Sequence, residues 1–427
     1  MLQDELYQYI RTLDVIDTHE HLPIRNDARN PQGDIFTEYC LIYFNRDLIC
    51  AGMPHEEAAR LLDPSLSVMD RWEMAAPYWE HCRHTGYGQA LDLGVQELYG
   101  IPRIDGDTIQ EVNRKIQESL QTDHYARVLK EVCRVKTALL DVDDSLSADR
   151  KFFSPVVRVD PFIYLRRYGD LLRLERAYGK SITSLDAMKD ACRKALYEAV
   201  EQGAAAFKCG LAYQRGLSYP RATAYEAERA FLDAFEGCDL EREDRPFAPG
   251  PAYQSYMLHY ALSVIEELDT AIQFHTGLLE GNGNRLEQSD PQLLIPLFLQ
   301  YPRVRFDIFH IGYPYQHVLG GLAKMFPNVY IDMCWAHIVS PVACVRSLEE
   351  WLETVPDNKI CAFGGDHCFI DGVAGHRRLA SRNVAKALAH KVEEGLFDAQ
   401  RARCLARRLF FDNPVQLFQL AGIESTI

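Results

Sequence analysis

Two histidines one residue apart, His19 and His21, sit in the stretch Asp14-Val15-Ile16-Asp17-Thr18-His19-Glu20-His21-Leu22. Val15 and Ile16 are strand formers and Pro23 bounds the run. On a strand, residues i and i+2 project to the same side, so both imidazoles can face one divalent cation. An isolated His-x-His is more often one packed and one solvated histidine, so the pair alone decides little. Its weight comes from later apolar runs that also end in groups able to bind metal or move protons. Lys208 lies in 204–210, His275 in 271–277, His310 in 304–312 and Asp366 in 360–366.

Those runs belong to a longer alternation. Strand-like segments at 14–22, 134–140, 156–165, 204–210, 271–277, 304–312, 329–335 and 360–366 are separated by helical patterns at 184–202, closed by Gly203, and at 253–268, 293–300, 319–325 and 342–354. The strand segments are too apolar to be half exposed, which predicts a parallel sheet buried on both faces. Eight of them close naturally into a (β/α)8 TIM barrel, where the active site lies at the C-terminal ends of the strands. His19, His21, Lys208, His275, His310 and Asp366 all fall at such ends, and unrelated residues would have no reason to share one rim. Trp335, at the end of the seventh run, is a candidate wall of the pocket. His337 is expected on a loop, and His367 should point away from Asp366 by alternation. His55, His81, His84, His124, His259, His317 and His376 read as structural or surface groups.

Residues 34–125 form a helix-rich insertion after the first strand, with helices at 54–62 and 107–116 and an aromatic cluster at 71–79 as its packed core. After Asp366 a charged helix opens at 375 and another spans 398–411, both expected outside the barrel. The whole chain, 1–427, reads as one barrel domain with this insertion.

Composition narrows the partners. A net charge of −15 argues against nucleic acid, whose phosphates need clustered Lys and Arg. No run reaches the ~18 apolar residues of a membrane span, and the acidic start, Met1-Leu2-Gln3-Asp4-Glu5-Leu6, lacks the features of a signal peptide, so a cytoplasmic protein is expected. The 12 cysteines include no Cys-x-x-Cys pair and read as reduced thiols. A small-molecule substrate remains, with self-association into a homo-oligomer left open. An anionic substrate would need a local basic pocket, for which the fork of Arg215 is the first candidate.

With these residues placed, the chain resembles the amidohydrolase superfamily of metal-dependent TIM-barrel hydrolases over residues 10–25 and 130–420. His19-Glu20-His21 matches the strand-1 metal motif, and His275, His310 and Asp366 match the strand-5, strand-6 and strand-8 positions. Phe274-His275-Thr276-Gly277, Phe309-His310-Ile311-Gly312-Tyr313-Pro314, Pro327-Asn328-Val329-Tyr330-Ile331-Asp332 and 208–217 are similar to the amidohydrolase domain of nodulin/glutamine-synthetase-like proteins. The insertion resembles that of uronate isomerase, although Gly365-Asp366-His367-Cys368 lacks the arginine-bearing segment expected there. The resemblance implies His19, His21, His275 and Asp366 as metal ligands, with Zn²⁺ or another divalent ion and one ion favoured over two. Asp366 would be the general base, and His310 would donate a proton or steady an oxyanion. Lys208 has two readings, a carbamylated bridge between two metals or an ammonium that binds a substrate carboxylate; its context favours the second. The expected reaction is hydrolysis of an amide or related C–N bond in a small acidic metabolite. Decarboxylation of a small carboxylate and aldose–ketose isomerisation are the alternatives.

Overall fold

The computed structural model describes residues 1–236 and 242–426. Eight strands run in sequence order: β1 (Val15–Glu20), β2 (Val135–Leu140), β3 (Phe153–Arg158), β4 (Ala206–Cys209), β5 (Ala271–Phe274), β6 (Arg305–Ile308), β7 (Val329–Asp332) and β8 (Ile360–Cys361). Every neighbouring pair from β1 to β8 is parallel. Beyond β8 the chain continues along β1, where Thr18 N donates to Phe363 O (3.1 Å), Asp366 N to His19 O (2.8 Å) and His21 N to His367 O (3.0 Å). These bonds bring the first and last strands together, and the result is the expected (β/α)8 barrel. Gly365 is required in that seam, because a Cβ there would strike Glu20 Oε1.

A helix the sequence reading passed over, α1 (Leu2–Thr12), precedes β1. The insertion carries α2 (Ile35–Tyr39), α3 (Phe44–Cys50), α4 (His55–Arg60), α5 (Val68–Cys82), α6 (Gly86–Tyr99) and α7 (Ile109–Ser119). Its own apolar core includes Phe36, Phe44, Leu48, Trp72 and Trp79, with Phe44 and Trp79 edge to face at 4.5 Å. The aromatic run is therefore core of the insertion.

The third strand differs from its expected span. It ends at Arg158, and Asp160–Ile163 forms a short helix, α8, with Pro161 in its first turn. Proline lacks the N–H a strand would donate, and its fixed φ suits a helix start. Around the barrel follow α9 (Tyr168–Tyr178), α10 (Leu185–Glu201), α11 (Ala224–Asp233), α12 (Pro251–Leu268), α13 (Ile295–Gln300), α14 (Gln316–Met325), α15 (Ala336–Val339) and α16 (Pro341–Thr354). Ser184 caps α10 by accepting from Ala187 N, as its position before the amphipathic run suggests. The helix expected from 375 starts earlier, as α17 (Ile370–Glu393), and packs against α1, α6 and α16. Gly375 permits its approach to α6, where a Cβ would strike Ala90 O.

After α18 (Ala399–Arg407), the segment through α19 (Asn413–Leu417) does not lie simply outside the barrel. Phe411, Leu417 and Phe418 cluster with Ile16, Leu139, Val156, Ala206, Ala271 and Cys361 from six strands. Apolar side chains converging from the strands need a cover, and this segment supplies it.

Candidate metal centre at the strand ends

His19 lies on β1 and His21 one residue beyond it, with their rings 4.8 Å apart and nearly perpendicular. Each imidazole has one nitrogen committed to an acceptor. His19 Nδ1 faces Gln273 Oε1 at 3.2 Å. The Gln273 amide nitrogen already donates to Thr18 O and Asp307 Oδ2, so its oxygen must be the atom turned to His19. His21 Nδ1 donates to Asp141 O (2.6 Å), His275 Nε2 to Leu278 O (2.9 Å) and His310 Nδ1 to Cys334 O (2.9 Å). Carbonyls accept only, so these bonds fix the tautomers and leave the other nitrogen of each ring, when neutral, with a lone pair.

Those lone pairs point at other acceptors. His21 Nε2 is 3.1 Å from Asp366 Oδ1, His19 Nε2 is 3.7 Å from the same oxygen, and His310 Nε2 is 3.8 Å from Asp366 Oδ2. His275 Nδ1 and His310 Nε2 face each other at 3.1 Å, two acceptors without a shared hydrogen. Acceptors this close call for a proton or a cation among them. The donor set of imidazole nitrogens and a carboxylate therefore fits a borderline divalent ion, with the outer nitrogens held as metal-ligating histidines are held.

Charge state agrees with that geometry. Burial drives His19 and His275 well below the usual imidazole range, and Lys208 adds to the effect in both. Burial also pushes His310 down to about 4. Burial opposes ionisation of Asp366, but its hydrogen bond and attraction to His21 hold it well below the usual carboxylate range. Three imidazoles of the centre, His19, His275 and His310, are thus held neutral; His21 is buried too, but its hydrogen bond and attraction to the ionised Asp366 raise its pKa.

Lys208, on β4, is buried, with Nζ 3.3 Å from the centroid of the Phe309 ring. Burial lowers its pKa while Asp141 and Asp366 raise it. Trp335 packs edge to face on His310 at 5.0 Å and stacks on Tyr43 at 5.0 Å, so its ring lies against the histidine group. Arg215 is elsewhere. Its guanidinium donates to Gln254 Oε1, Ser218 O and Gly216 O and lies over the Tyr219 ring, and it makes no hydrogen bond or ion pair to the histidine groups among the described residues. His337 is not on a loop either. It is fully buried in α15 and bonds Ala362 O, because the chain after β7 turns at once into a helix. His367 turns away from the lone-pair cluster, toward Tyr43, Phe369 and His376.

Three site residues were missed. Asp141 follows β2 directly; with His19 and His21 it forms one potential metal-binding group, and His310, Cys334 and Asp366 form another. Burial opposes the ionisation of Asp141, but Arg158, His21 and His19 hold it below the usual range. The strand-end rule would have found Asp141, had the second run been extended by one residue. It would also have found Arg158, had the third run been stopped before Asp160-Pro161. Tyr43 had no signal. It comes from the insertion, and its hydroxyl donates to Asp366 O.

Strain gathers at the same place. His310 (φ 62°), Ile311 (52°), Trp335 (58°), Asp366 (60°) and Tyr43 (60°) all occupy the left-handed region. Such conformations cost roughly 1–3 kcal/mol each and persist where surrounding contacts impose them, commonly at functional sites.

Comparisons with known proteins bear on the family and the fold. The family model described as "Amidohydrolase" matches residues 178–420, more than half of the chain. Protein fluG of Emericella nidulans is 31% identical over 179 residues, which is 42% of this chain and 20% of that protein, so the match spans about a fifth of the curated relative. Among solved structures, uronate isomerase from Thermotoga maritima aligns with a TM-score of 0.80 at 17% identity, covering 98% of this chain and 97% of that one. Glucuronate isomerase from Caulobacter crescentus aligns with a TM-score of 0.74 at 18% identity, covering 99% and 95%. At these identities the structural likeness concerns the fold. No helix among the described residues is long and apolar enough to cross a membrane.

Proposed function

The chain belongs to the amidohydrolase family, and from that premise we propose that it is a metal-dependent hydrolase of an amide or related C–N bond in a small acidic metabolite. The observation that carries this reading is the convergence of His19, His21 and His310 on Asp366, with His275 facing His310 beside them. A divalent ion such as Zn²⁺, held by His19, His21, His275 and Asp366, would acidify a water and polarise the substrate carbonyl.

The chain's own groups then handle the proton. Asp366 accepts it from the attacking water, and its Oδ2 faces His310 Nε2 at 3.8 Å. His310 donates its Nδ1 hydrogen to Cys334 O, so Nε2 is free to receive that proton and deliver it to the leaving nitrogen. Lys208, an ammonium set against the Phe309 ring, offsets the negative charge that develops nearby. That placement supports the unmodified amine and a single ion. Trp335 and Phe309 exclude water from His310.

A second reading, isomerisation of a uronate, is favoured by the likeness to the Thermotoga maritima enzyme over 98% of this chain, insertion included. Metal analysis followed by a screen of N-acyl amino acids, lactams, aromatic carboxylates and uronates separates the two. Release of an amine or opening of a lactam supports the hydrolase. Conversion of a uronate to its keto isomer, with every amide inert, would replace it.

A further inference from the structure

We propose that Arg158 is the specificity-determining residue of this site, a preset fork that binds the remote carboxylate of a short acidic substrate. The inference deepens the hydrolase reading and rests on it for the reacting end only.

Arg158 ends β3, in register with Lys208 on β4, and so stands on the rim that carries the histidines. Its Nε and Nη2 donate to the two carboxylate oxygens of Asp141, each at 2.8 Å. This two-point grip fixes the plane of the guanidinium before any ligand arrives, so little rotamer entropy remains to be lost on binding. Nη1 keeps both hydrogens, with no hydrogen-bond partner among the described residues. The side chain is 43% exposed, whereas Lys208 is buried and Asp141 almost completely so. Arg158 is therefore the cation a solute meets first.

Asp141 ties this fork to the metal centre. The oxygen that receives Nη2 of Arg158 is also 3.6 Å from His19 Nε2. A ligand reaching from the lone-pair cluster to Nη1 must therefore be short, with its free carboxylate only a few bonds from the reacting carbonyl. The His21 side chain, whose ring packs against His19, is itself 26% exposed. The substrate class is thus a small molecule with a hydrolysable C–N bond and a nearby carboxylate.

The test is calorimetric binding of 4-oxopentanoate, whose ketone stands in for the reacting carbonyl, and of its amide, in which a neutral group replaces the remote carboxylate, to the purified protein, with metal content measured alongside. The wild type should prefer 4-oxopentanoate at least about tenfold. Arg158→Gln should erase that preference with metal content unchanged, and Arg158→Lys, which keeps the charge but not the fork, should retain part of it. Equal binding of acid and amide by the wild type, or an undiminished preference in Arg158→Gln, would overturn the assignment. So would loss of metal from both variants, which would make Arg158 a support of the ligand set. Turnover is not measured, so failure of the hydrolase screen and failure of this assignment are separate results.

Discussion

At the centre, what each residue does depends on which of its two nitrogens or oxygens is already engaged. His19, His21, His275 and His310 each commit one nitrogen to a carbonyl or amide oxygen, which leaves the other turned to the centre. The double variant His19→Ala, His21→Ala should lose bound divalent metal, measured by elemental analysis; full occupancy would remove both from the ligand set. Asp366→Asn preserves size but cannot take the proton. It should remain folded by circular dichroism and lose turnover, and near-wild-type rates from pH 6 to 9, the range around the ~7 of an ion-activated water, would rule out a base there. Lys208→Ala should leave metal content unchanged while KM for anionic substrates rises, a penalty of about 1.5–3 kcal/mol for a charged hydrogen bond. Loss of one ion, restored by short-chain acids, would instead identify a bridging carbamate.

At the scale of elements, the insertion is a second core that serves the barrel. Tyr43 stacks on Tyr87 and Trp335 and bonds Asp366 O, so a residue 323 positions away shapes the carboxylate's backbone. Tyr43→Phe removes one hydrogen bond, worth about 0.5–1.5 kcal/mol. It should lower kcat more than it lowers the melting temperature, because the ring stack survives. Trp79 is 2% exposed and packs on Phe44 and Trp72. Trp79→Ala should cost about 3–5 kcal/mol, read by denaturant unfolding. A loss below about 1 kcal/mol would mean that the insertion is not a packed unit.

Across the whole molecule, Asp371 at the start of α17 joins the insertion to the barrel. It accepts from Tyr39 (2.8 Å), Tyr99 (2.6 Å) and His124 (2.6 Å). Burial opposes its ionisation, but His124 and Tyr99 outweigh this and hold its pKa at about 2. A folded pKa below the unfolded 3.8 means that the folded state binds the proton less readily. The resulting stability is complete above 3.8 and is lost as pH falls toward about 2. The contribution is of order 2 kcal/mol from that shift. Asp371→Asn should flatten the stability profile across this acid window, measured by urea unfolding at stepped pH, and an unchanged slope would remove Asp371 as the source.

Local pattern by itself determined the eight strands, the barrel they imply and the rim on which His19, His21, Lys208, His275, His310 and Asp366 stand. That was legible because strands buried on both faces are rich in apolar residues, and the groups able to bind metal or move protons recur at or just past their C-terminal ends. What pattern could not reach was any pairing made through space. Asp141 meets His19 and Arg158 only because β1, β2 and β3 are neighbours around the barrel. Arg215, the fork that sequence favoured, is consumed by its own loop and by Gln254 of α12, while Arg158 is left open by the geometry of Asp141. Tyr43 reaches Asp366 across the fold, and no periodicity records such a contact. Tertiary structure decided which polar atoms are already satisfied, and the unsatisfied ones define the chemistry.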